Sequence, residues 1–194
     1  MLFALPCLAL AALGVVALPS KSDADYTSVF HRTKGGSPKC MTHKEGVAAV
    51  EIYRKLIAEW KPELATHVSE SFVDYSDSIN TFVHQPLGGP TFPTKAIFVA
   101  SQNAQPHFPI TILSIDSQKC NTVSFQWKAA FGQANLPSKG LTALQMVWEE
   151  NQWKVKRIDV EFNSLIWLLN MGGSYTWEGK TYTATSPDAG VVPK

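Results

Sequence analysis

The sequence predicts an α+β fold in which helices pack against one face of a curved β-sheet. Two observations support this fold class. Apolar residues recur at helical spacing early in the chain, whereas strand-like alternation dominates residues 123–162. In addition, the apolar positions of the last long strand shift from odd to even numbers after Val155. Because side chains alternate with a period of two, this shift requires a β-bulge near Lys156 and Arg157, and a bulge bends the sheet.

The composition favours one globular domain with extensions. The chain has 194 residues, of which 45% are hydrophobic and 17% are charged. Lysine and arginine total 17 against 16 aspartate and glutamate residues. This balance gives no electrostatic support for a nucleic-acid partner or an anionic membrane.

The chain divides into four segments. Residues 1–17 form a short apolar run that ends in small residues, which predicts a cleaved secretory signal peptide; an anchored helix is the alternative. Residues 18–39 are polar and predict a disordered linker. Residues 40–172 form the predicted domain, and residues 173–194 a small hairpin with a disordered tail. We therefore expect a secreted, extracellular protein without membrane attachment after signal cleavage.

The cysteines agree with secretion. Cys7 leaves with the signal peptide, and the mature chain keeps Cys40 and Cys120. An even number of cysteines in an oxidising compartment predicts a disulfide between them. Two separate buried thiols are the alternative.

Two helices are predicted after Cys40. Thr42 and Glu45 have the spacing of a capping box, which predicts the start of a helix that runs to Trp60. Pro62 ends this helix and can begin a short second one that reaches Val68. The apolar stripe of the first helix comprises Ala49, Ile52, Tyr53, Leu56, Ile57 and Trp60.

The next part of the chain has mixed patterns. Residues 70–77 predict a short strand, and residues 79–93, rich in proline and glycine, predict a loop. Residues 94–102 suit a helix or a strand by propensity, and Thr94 as an N-cap favours the helix. Residues 110–115 predict another strand.

Alternation is clearest in the strand predicted for residues 123–131. Residues 141–148 and 153–162 follow as a long hairpin with a polar turn at residues 149–152. One face of the first of these strands is apolar and the other is polar, so one side of the sheet is expected to be buried. The apolar face comprises Val123, Phe125, Trp127, Ala129 and Phe131.

Two shorter elements follow the hairpin. Residues 165–169 are apolar throughout, and we expect them to close one end of the core because such a run would aggregate if exposed. Residues 175–182 predict a satellite hairpin that turns at Glu178 and Gly179.

The sequence also resembles a known family. Residues 96–102 with Gln105 and Pro106, and residues 161–164 followed by Trp167 and Asn170, resemble a branch of small secreted fungal proteins. This branch belongs to the nuclear transport factor 2-like superfamily, which includes ketosteroid isomerase, scytalone dehydratase and SnoaL-like polyketide cyclases.

The resemblance covers roughly residues 42–172 and implies a cone. In this fold a strongly bent, mixed sheet wraps around the N-terminal helices and leaves a pocket at the open end. The superfamily contains isomerases, dehydratases, cyclases and non-catalytic binding proteins, so the fold alone does not assign a function.

The resemblance identifies two positions where an isomerase would need chemistry. It implies a general base near Asp74, at the end of the first strand, and a hydroxyl donor near Tyr53, on the first helix. The polar run at residues 75–78 instead predicts that Asp74 is solvated, has an ordinary pKa and is not a catalytic base, and the proline that follows the family's aspartate is absent. Tyr53 suits a core aromatic equally well. Asp159 and Glu161 are expected to be solvated charges on the outer face.

Metal and cofactor sites are not predicted. No spacing among the histidines resembles a zinc site or a facial triad, and we expect no metal and no cofactor. Residues 123–162 contain no histidine, which argues against chemistry like that of scytalone dehydratase. The five histidines are His31, His43, His67, His84 and His107.

Aromatic residues are the strongest indication of function. They are expected to converge inside the sheet and to line a hydrophobic ligand pocket, although they could simply fill the core. The residues are Tyr53, Trp60, Phe72, Phe125, Trp127, Met146, Ile158 and Phe162.

Two functional hypotheses follow from these patterns. The first is non-enzymatic binding of a small hydrophobic ligand or a protein partner, with a homodimer through the sheet as one form of partner. The second is a SnoaL-like isomerase or cyclase that acts on a hydrophobic secondary metabolite.

Overall fold

The structure of the protein is a computed structural model that describes residues 40–186. The predicted signal peptide (residues 1–17), the predicted linker (residues 18–39) and the end of the predicted tail lie outside the described residues. No helix within residues 40–186 is both long and apolar enough to cross a membrane.

Six strands form one mixed sheet in the order β2-β1-β6-β5-β4-β3, in which β1 and β6 run parallel and all other neighbours run antiparallel. The helices are α1 (His43–Ala58), a short 3₁₀ helix (Pro62–His67), α2 (Asp77–Val83), α3 (Lys95–Ala104) and α4 (Ser164–Asn170). The strands of this sheet are β1 (Val68–Tyr75), β2 (Pro90–Phe92), β3 (Ile110–Lys119), β4 (Thr122–Ala129), β5 (Ser138–Glu149) and β6 (Gln152–Phe162). The curved mixed sheet with helices confirms the predicted α+β cone.

Helix α1 begins at the predicted capping box. The backbone N–H of Thr42 donates to the Glu45 carboxylate at 2.7 Å, and the backbone N–H of Glu45 donates to the Thr42 hydroxyl at 3.3 Å. Ala49, Tyr53 and Leu56 are buried on the face that meets β3 to β6. The helix therefore occupies the inner side of the sheet, as its apolar stripe predicts.

The long hairpin of β5 and β6 turns at Glu150 and Asn151. Both residues have positive φ, at 50° and 62°. A two-residue turn with both central residues at positive φ matches the twist of the flanking strands, and asparagine tolerates this conformation better than most residues. The predicted hairpin is therefore confirmed.

The predicted bulge lies in β6. Gln145 of β5 pairs with Arg157, but the next residue of β5, Met146, pairs with Val155. Lys156 is therefore the extra residue, and the apolar side chains keep facing inward on both sides of it.

The buried face of β4 carries Trp127 opposite Gly140 of β5. A Cβ atom at position 140 would lie 2.2 Å from the indole ring, so glycine leaves the space that the ring occupies. The indole N–H donates to the Thr142 hydroxyl at 2.9 Å. Trp127 is thus a buried ring with a satisfied polar atom, as the alternation predicts.

The edge strand β3 is irregular. Its pairing with β4 shifts between Ile112 and Ser114 and again between Ile115 and Ser117. It is also longer than predicted, because it continues to Lys119.

The prediction for residues 79–93 is wrong, because this stretch contains most of α2 and all of β2. The physical reason is a cap: the Ser76 hydroxyl accepts a hydrogen bond from the backbone N–H of Ile79 at 3.1 Å. Strand β1 accordingly ends at Tyr75, before the predicted residue 77, and begins earlier, at Val68.

The helical alternative for residues 94–102 is confirmed. Thr94 accepts from the backbone N–H of Ile97 at 3.3 Å and caps α3. The indole N–H of Trp60 donates to Asn103 on this helix at 2.8 Å.

Helix α4 closes one end of the core, as predicted for residues 165–169. The ring centroid of Trp167 lies 4.4 Å from Phe162, 4.5 Å from Phe131 and 4.8 Å from Phe108. Asn170 then fixes the neighbouring loop, since its side chain accepts from the Leu136 N–H and donates to the Leu136 carbonyl, both at 2.8 Å.

A satellite hairpin follows α4, as predicted. Its strands are β7 (Ser174–Trp177) and β8 (Lys180–Thr183). The Tyr175 and Tyr182 rings stack with centroids 5.0 Å apart, and Glu178 and Gly179 have positive φ at the turn.

The predicted disulfide between Cys40 and Cys120 is present, with the two Cα atoms 4.3 Å apart. Beside it, the backbone N–H of Met41 donates to the Cys120 carbonyl at 2.9 Å. The Gln118 side chain donates to the Met41 carbonyl at 3.1 Å. The bond therefore joins the start of α1 to the turn between β3 and β4.

Replacing both cysteines with serine (C40S/C120S) is expected to lower the free energy of unfolding. The bond closes a loop with a sequence separation of 80. The expected loss is about 4 kcal/mol, because the unfolded chain regains the entropy of that loop. Urea denaturation of the wild-type protein and of the variant measures the difference. Two free thiols after alkylation of the native protein would contradict the disulfide.

The substitution Trp127→Ala is expected to cost about 3–5 kcal/mol, because it removes a buried ring and leaves a cavity. Trp177→Ala is the matched control, since Trp177 is 65% exposed on the satellite hairpin. The urea midpoint of unfolding should fall strongly in Trp127→Ala and change little in Trp177→Ala. Equal shifts would contradict the assignment of the buried face.

Candidate functional site

The eight residues predicted to line a pocket converge inside the cone. Seven are buried and Phe162 is half-buried. Their rings pack closely: Tyr53 lies 5.1 Å from Phe125, and Phe72 lies 4.8 Å from Phe98 of α3. The structure therefore brings the predicted residues together as part of the core, and their contact with a ligand stays a prediction.

A groove of about 190 Å³ lies elsewhere, at the β3–β4 edge. It contains none of the eight predicted residues. Its lining is Pro109, Thr111, Lys128, Ala129, Ala130 and Pro137.

The prediction that Asp74 is solvated is wrong, since the residue is only 3% exposed. The polar run that follows does not hydrate Asp74, because Ser76 and Ser78 are themselves buried at the start of α2. Asp74 is thus an inward-facing carboxyl at the end of β1, which is where the family resemblance implies a general base.

Burial raises the pKa of Asp74 well above its ordinary value, and the nearby negative charges of Asp159 and Glu161 raise it further. Within the sheet Asp74 is paired with Phe92 of β2 and Ile158 of β6. Its Oδ1 atom is buried and has no hydrogen-bond partner within residues 40–186. Asp74 can therefore keep its proton at a pH where an exposed aspartate is ionised.

A chain of hydrogen bonds leads to the second candidate residue, Tyr53. Trp127 donates to Thr142, and the Thr142 hydroxyl donates to the Tyr53 hydroxyl at 3.3 Å. Burial raises the pKa of Tyr53 above its ordinary value of 10.0. The hydrogen bond from Thr142 lowers the pKa, and the charge of Asp74 raises it. Tyr53 is therefore a neutral phenol whose own O–H can donate.

The arrangement suits proton exchange or hydrogen bonding inside an apolar interior. A carboxyl with a raised pKa and a neutral phenol are close enough for the charge of one to affect the other. In the described part of the chain, no group of three or more His, Cys, Asp or Glu side chains could hold a metal ion.

The outer carboxylates have structural partners that the sequence did not indicate. Asp159 binds Arg157 through both oxygens, at 2.7 and 2.6 Å. Glu161 is exposed, as predicted, but its carboxylate accepts from the backbone N–H groups of Asp77 at 2.7 Å and Ser78 at 2.9 Å. The Ser78 hydroxyl also donates to Glu161. The serines at positions 76 and 78 favour the start of a helix, and they were the feature of the sequence that could have indicated a helix start at this carboxylate.

Comparison with known proteins gives one family and several distant structures. A family model described as an NTF2-like domain matches residues 39–174. No curated protein matches the sequence.

One similar structure is a SnoaL-like protein of unknown function from Burkholderia thailandensis. It is 10% identical to this chain with a TM-score of 0.48, and the match covers 64% of this chain and 99% of that protein. An NTF2-like protein of unknown function from Pseudomonas putida is also 10% identical, with a TM-score of 0.46 and coverage of 63% and 88%. A de novo designed protein with a curved β-sheet is 13% identical, with a TM-score of 0.47 and the same coverage. These similarities carry no argument about activity.

The burial of Asp74 predicts a specific pH dependence of stability. Between the ordinary pKa of 3.8 and the raised pKa of the folded state, Asp74 is ionised in the unfolded chain but protonated in the folded one. The folded state then binds more protons, so this residue's contribution to the free energy of unfolding falls as pH rises from 3.8 towards the raised value.

Asp74→Asn removes this dependence while keeping the shape of the side chain. Urea denaturation of both proteins over a pH series isolates the contribution of Asp74, since the other carboxyl groups are common to both. The wild type should lose stability relative to the variant as pH rises. A difference in the free energy of unfolding that stays the same across the pH series would contradict a buried, protonated Asp74.

Proposed function

The chain belongs to the NTF2-like domain family, and we propose that it binds a small hydrophobic molecule inside the cone, with Asp74 contacting the polar group of that molecule. The proposed ligand is a flat, largely apolar compound that carries a hydroxyl or a carbonyl group. The protein itself is proposed to act by binding.

One observation carries this proposal: the buried Oδ1 atom of Asp74 has no hydrogen-bond partner among the described residues. A buried polar atom without a partner costs about 1–3 kcal/mol. A ligand hydroxyl or carbonyl that bonds to this carboxyl would recover that free energy. The unpaired atom therefore supports a polar contact with a ligand at this point.

The surroundings of Asp74 support an apolar ligand body. Phe72, Ile158 and Tyr53 are all buried in the same interior. Aromatic and aliphatic walls with a few polar groups are typical of small-molecule sites. The Tyr53 hydroxyl would supply a second polar contact.

The proposed place of action is outside the cell. The disulfide between Cys40 and Cys120 supports folding in an oxidising compartment, and the apolar residues 1–17 support secretion. The resemblance to secreted fungal proteins points the same way. A homodimer through the sheet stays a prediction.

A second candidate function is favoured by the burial of both Asp74 and Tyr53 in the same interior, where the charge of Asp74 acts on Tyr53. In a SnoaL-like isomerase or cyclase, ionised Asp74 would take a proton from a carbon next to a carbonyl group. Tyr53 would donate a hydrogen bond to the resulting enolate oxygen. In an isomerase Asp74 would return the proton to another carbon; in a cyclase the enolate carbon would attack a second carbonyl group, and Asp74 would return the proton to the alkoxide oxygen that forms. The raised pKa of Asp74 supports this role, because a base with a higher pKa removes such a proton more readily.

One experiment tests both candidates. The mature protein is titrated with β,γ-unsaturated steroid ketones and polyketide-like ketones, while tryptophan fluorescence reports binding and ultraviolet absorbance reports a conjugated product. Asp74→Leu should weaken binding by about tenfold, because it removes the polar contact. Asp116→Asn is the matched control, since Asp116 is exposed on β3 and is not among the charges that raise the pKa of Asp74.

The outcomes separate the two candidates. Binding that depends on Asp74 without product supports the binding protein. Turnover that falls by orders of magnitude in Asp74→Asn overturns that proposal in favour of the isomerase. Binding that is unaffected by Asp74→Leu, or no binding of any compound, contradicts the proposed site.

A further inference from the structure

Residues 77–92, which we name the cover segment, contain α2, a loop and β2, and they border Asp74. In the sheet Asp74 lies between Phe92 of β2 and Ile158 of β6. Strand β6 is central, whereas β2 is an edge strand of three residues. Strand β2 can therefore leave the side of Asp74 without disrupting the centre of the sheet.

The cover segment is assembled by its own hydrogen bonds. The Asn80 side chain, fully buried, donates to the carbonyl groups of Pro86 at 3.2 Å and Gly89 at 3.0 Å. The carboxylate of Asp77 accepts from the backbone N–H of Gly88 at 2.6 Å. These bonds tie α2 to its own loop, so the segment can keep its shape when its contacts with the sheet are broken.

Besides the pairing of β2 with β1, the cover segment is held to the sheet by Glu161 at the end of β6. The Glu161 carboxylate accepts from the N–H groups of Asp77 and Ser78 and from the Ser78 hydroxyl. Hydrogen bonds from helix N-terminal N–H groups to a carboxylate are charge-assisted and stronger than neutral ones. The Ser78 hydroxyl adds a bond with the Phe162 backbone.

The apolar contacts that reinforce this attachment come from Ile79 of α2 and Phe92 of β2, which are half-buried against the core. Val83 and Leu87, the large apolar side chains at the end of α2 and in the loop, are 50% and 67% exposed. At the other end Phe92 packs against Phe98, with ring centroids 5.7 Å apart. Segments with little buried apolar surface open at lower free energy than the core.

We propose that the cover segment opens as one unit and that Glu161 is the latch that holds it closed. Opening releases β2 from β1 and gives a ligand a path to Asp74. This role in ligand entry rests on the proposed function, whereas the opening itself is a property of the fold.

Amide hydrogen exchange of the mature protein, followed by mass spectrometry, tests the latch without any ligand. In Glu161→Ala, amides throughout residues 77–92 should exchange at least about tenfold faster, because the variant loses charge-assisted bonds. Amides of β4 and β5 should be unchanged. Glu161→Gln keeps one acceptor oxygen, so its exchange rates should lie between those of the wild type and Glu161→Ala. Asp159→Asn is the control on the same strand.

Three results would overturn the proposal. The first is faster exchange confined to Asp77 and Ser78, the two amides that directly lose their acceptor. The second is faster exchange throughout the domain. The third is an equal effect of Glu161→Ala and Asp159→Asn on exchange in the cover segment. For a steroid ketone that binds, Glu161→Ala should also raise the association rate about tenfold if opening limits entry. If the exchange result holds but no compound binds, the latch stands and the proposed function fails.

Discussion

The bulge at Lys156 determines the geometry on which the rest of the structure depends. One extra residue lets β6 direct Val155 inward before the bulge and Ile158 inward after it, although the strand changes direction. Because β6 is paired along its length with β5, its bend passes to this neighbour and curves the sheet around α1. The parallel partner β1 pairs with β6 at Val155 and again from Arg157, and Asp74 comes to lie beside Ile158 with its carboxyl inside the cone. A straight β6 would leave α1 without a concave surface to fill.

The features that the sequence predicts well are set by residues close together in the chain. The capping box at Thr42, the turn after Glu149 and the alternation through Trp127 each need only a few neighbouring residues. The bulge belongs to this group, because a change of phase is visible within one strand. The Cys40–Cys120 bond is predictable for another reason, since loss of Cys7 with the predicted signal peptide would leave each of these cysteines one available partner.

The candidate site was less predictable because it depends on contacts between distant segments. The bonds from Ser78 to Glu161 join residues 83 apart, and they help turn a polar run into the buried start of a helix. Ser76 and Ser78 are buried at the start of α2 and do not surround Asp74 with water, as the sequence suggested they would. Whether inward-facing aromatic residues such as Phe125 surround a ligand or each other was also beyond the pattern, since both arrangements need the same alternation.

The irregular pairing of β3 has a consequence for how the protein behaves at high concentration. An exposed edge strand is a template on which another copy can add a strand, and this is one way in which aggregation begins. β3 is the longer edge of the sheet, ten residues against three in β2. The two shifts after Ile112 and Ile115 interrupt the regular row of backbone donors and acceptors that such growth requires. The same irregularities that fit β3 to a curved sheet therefore also favour colloidal stability.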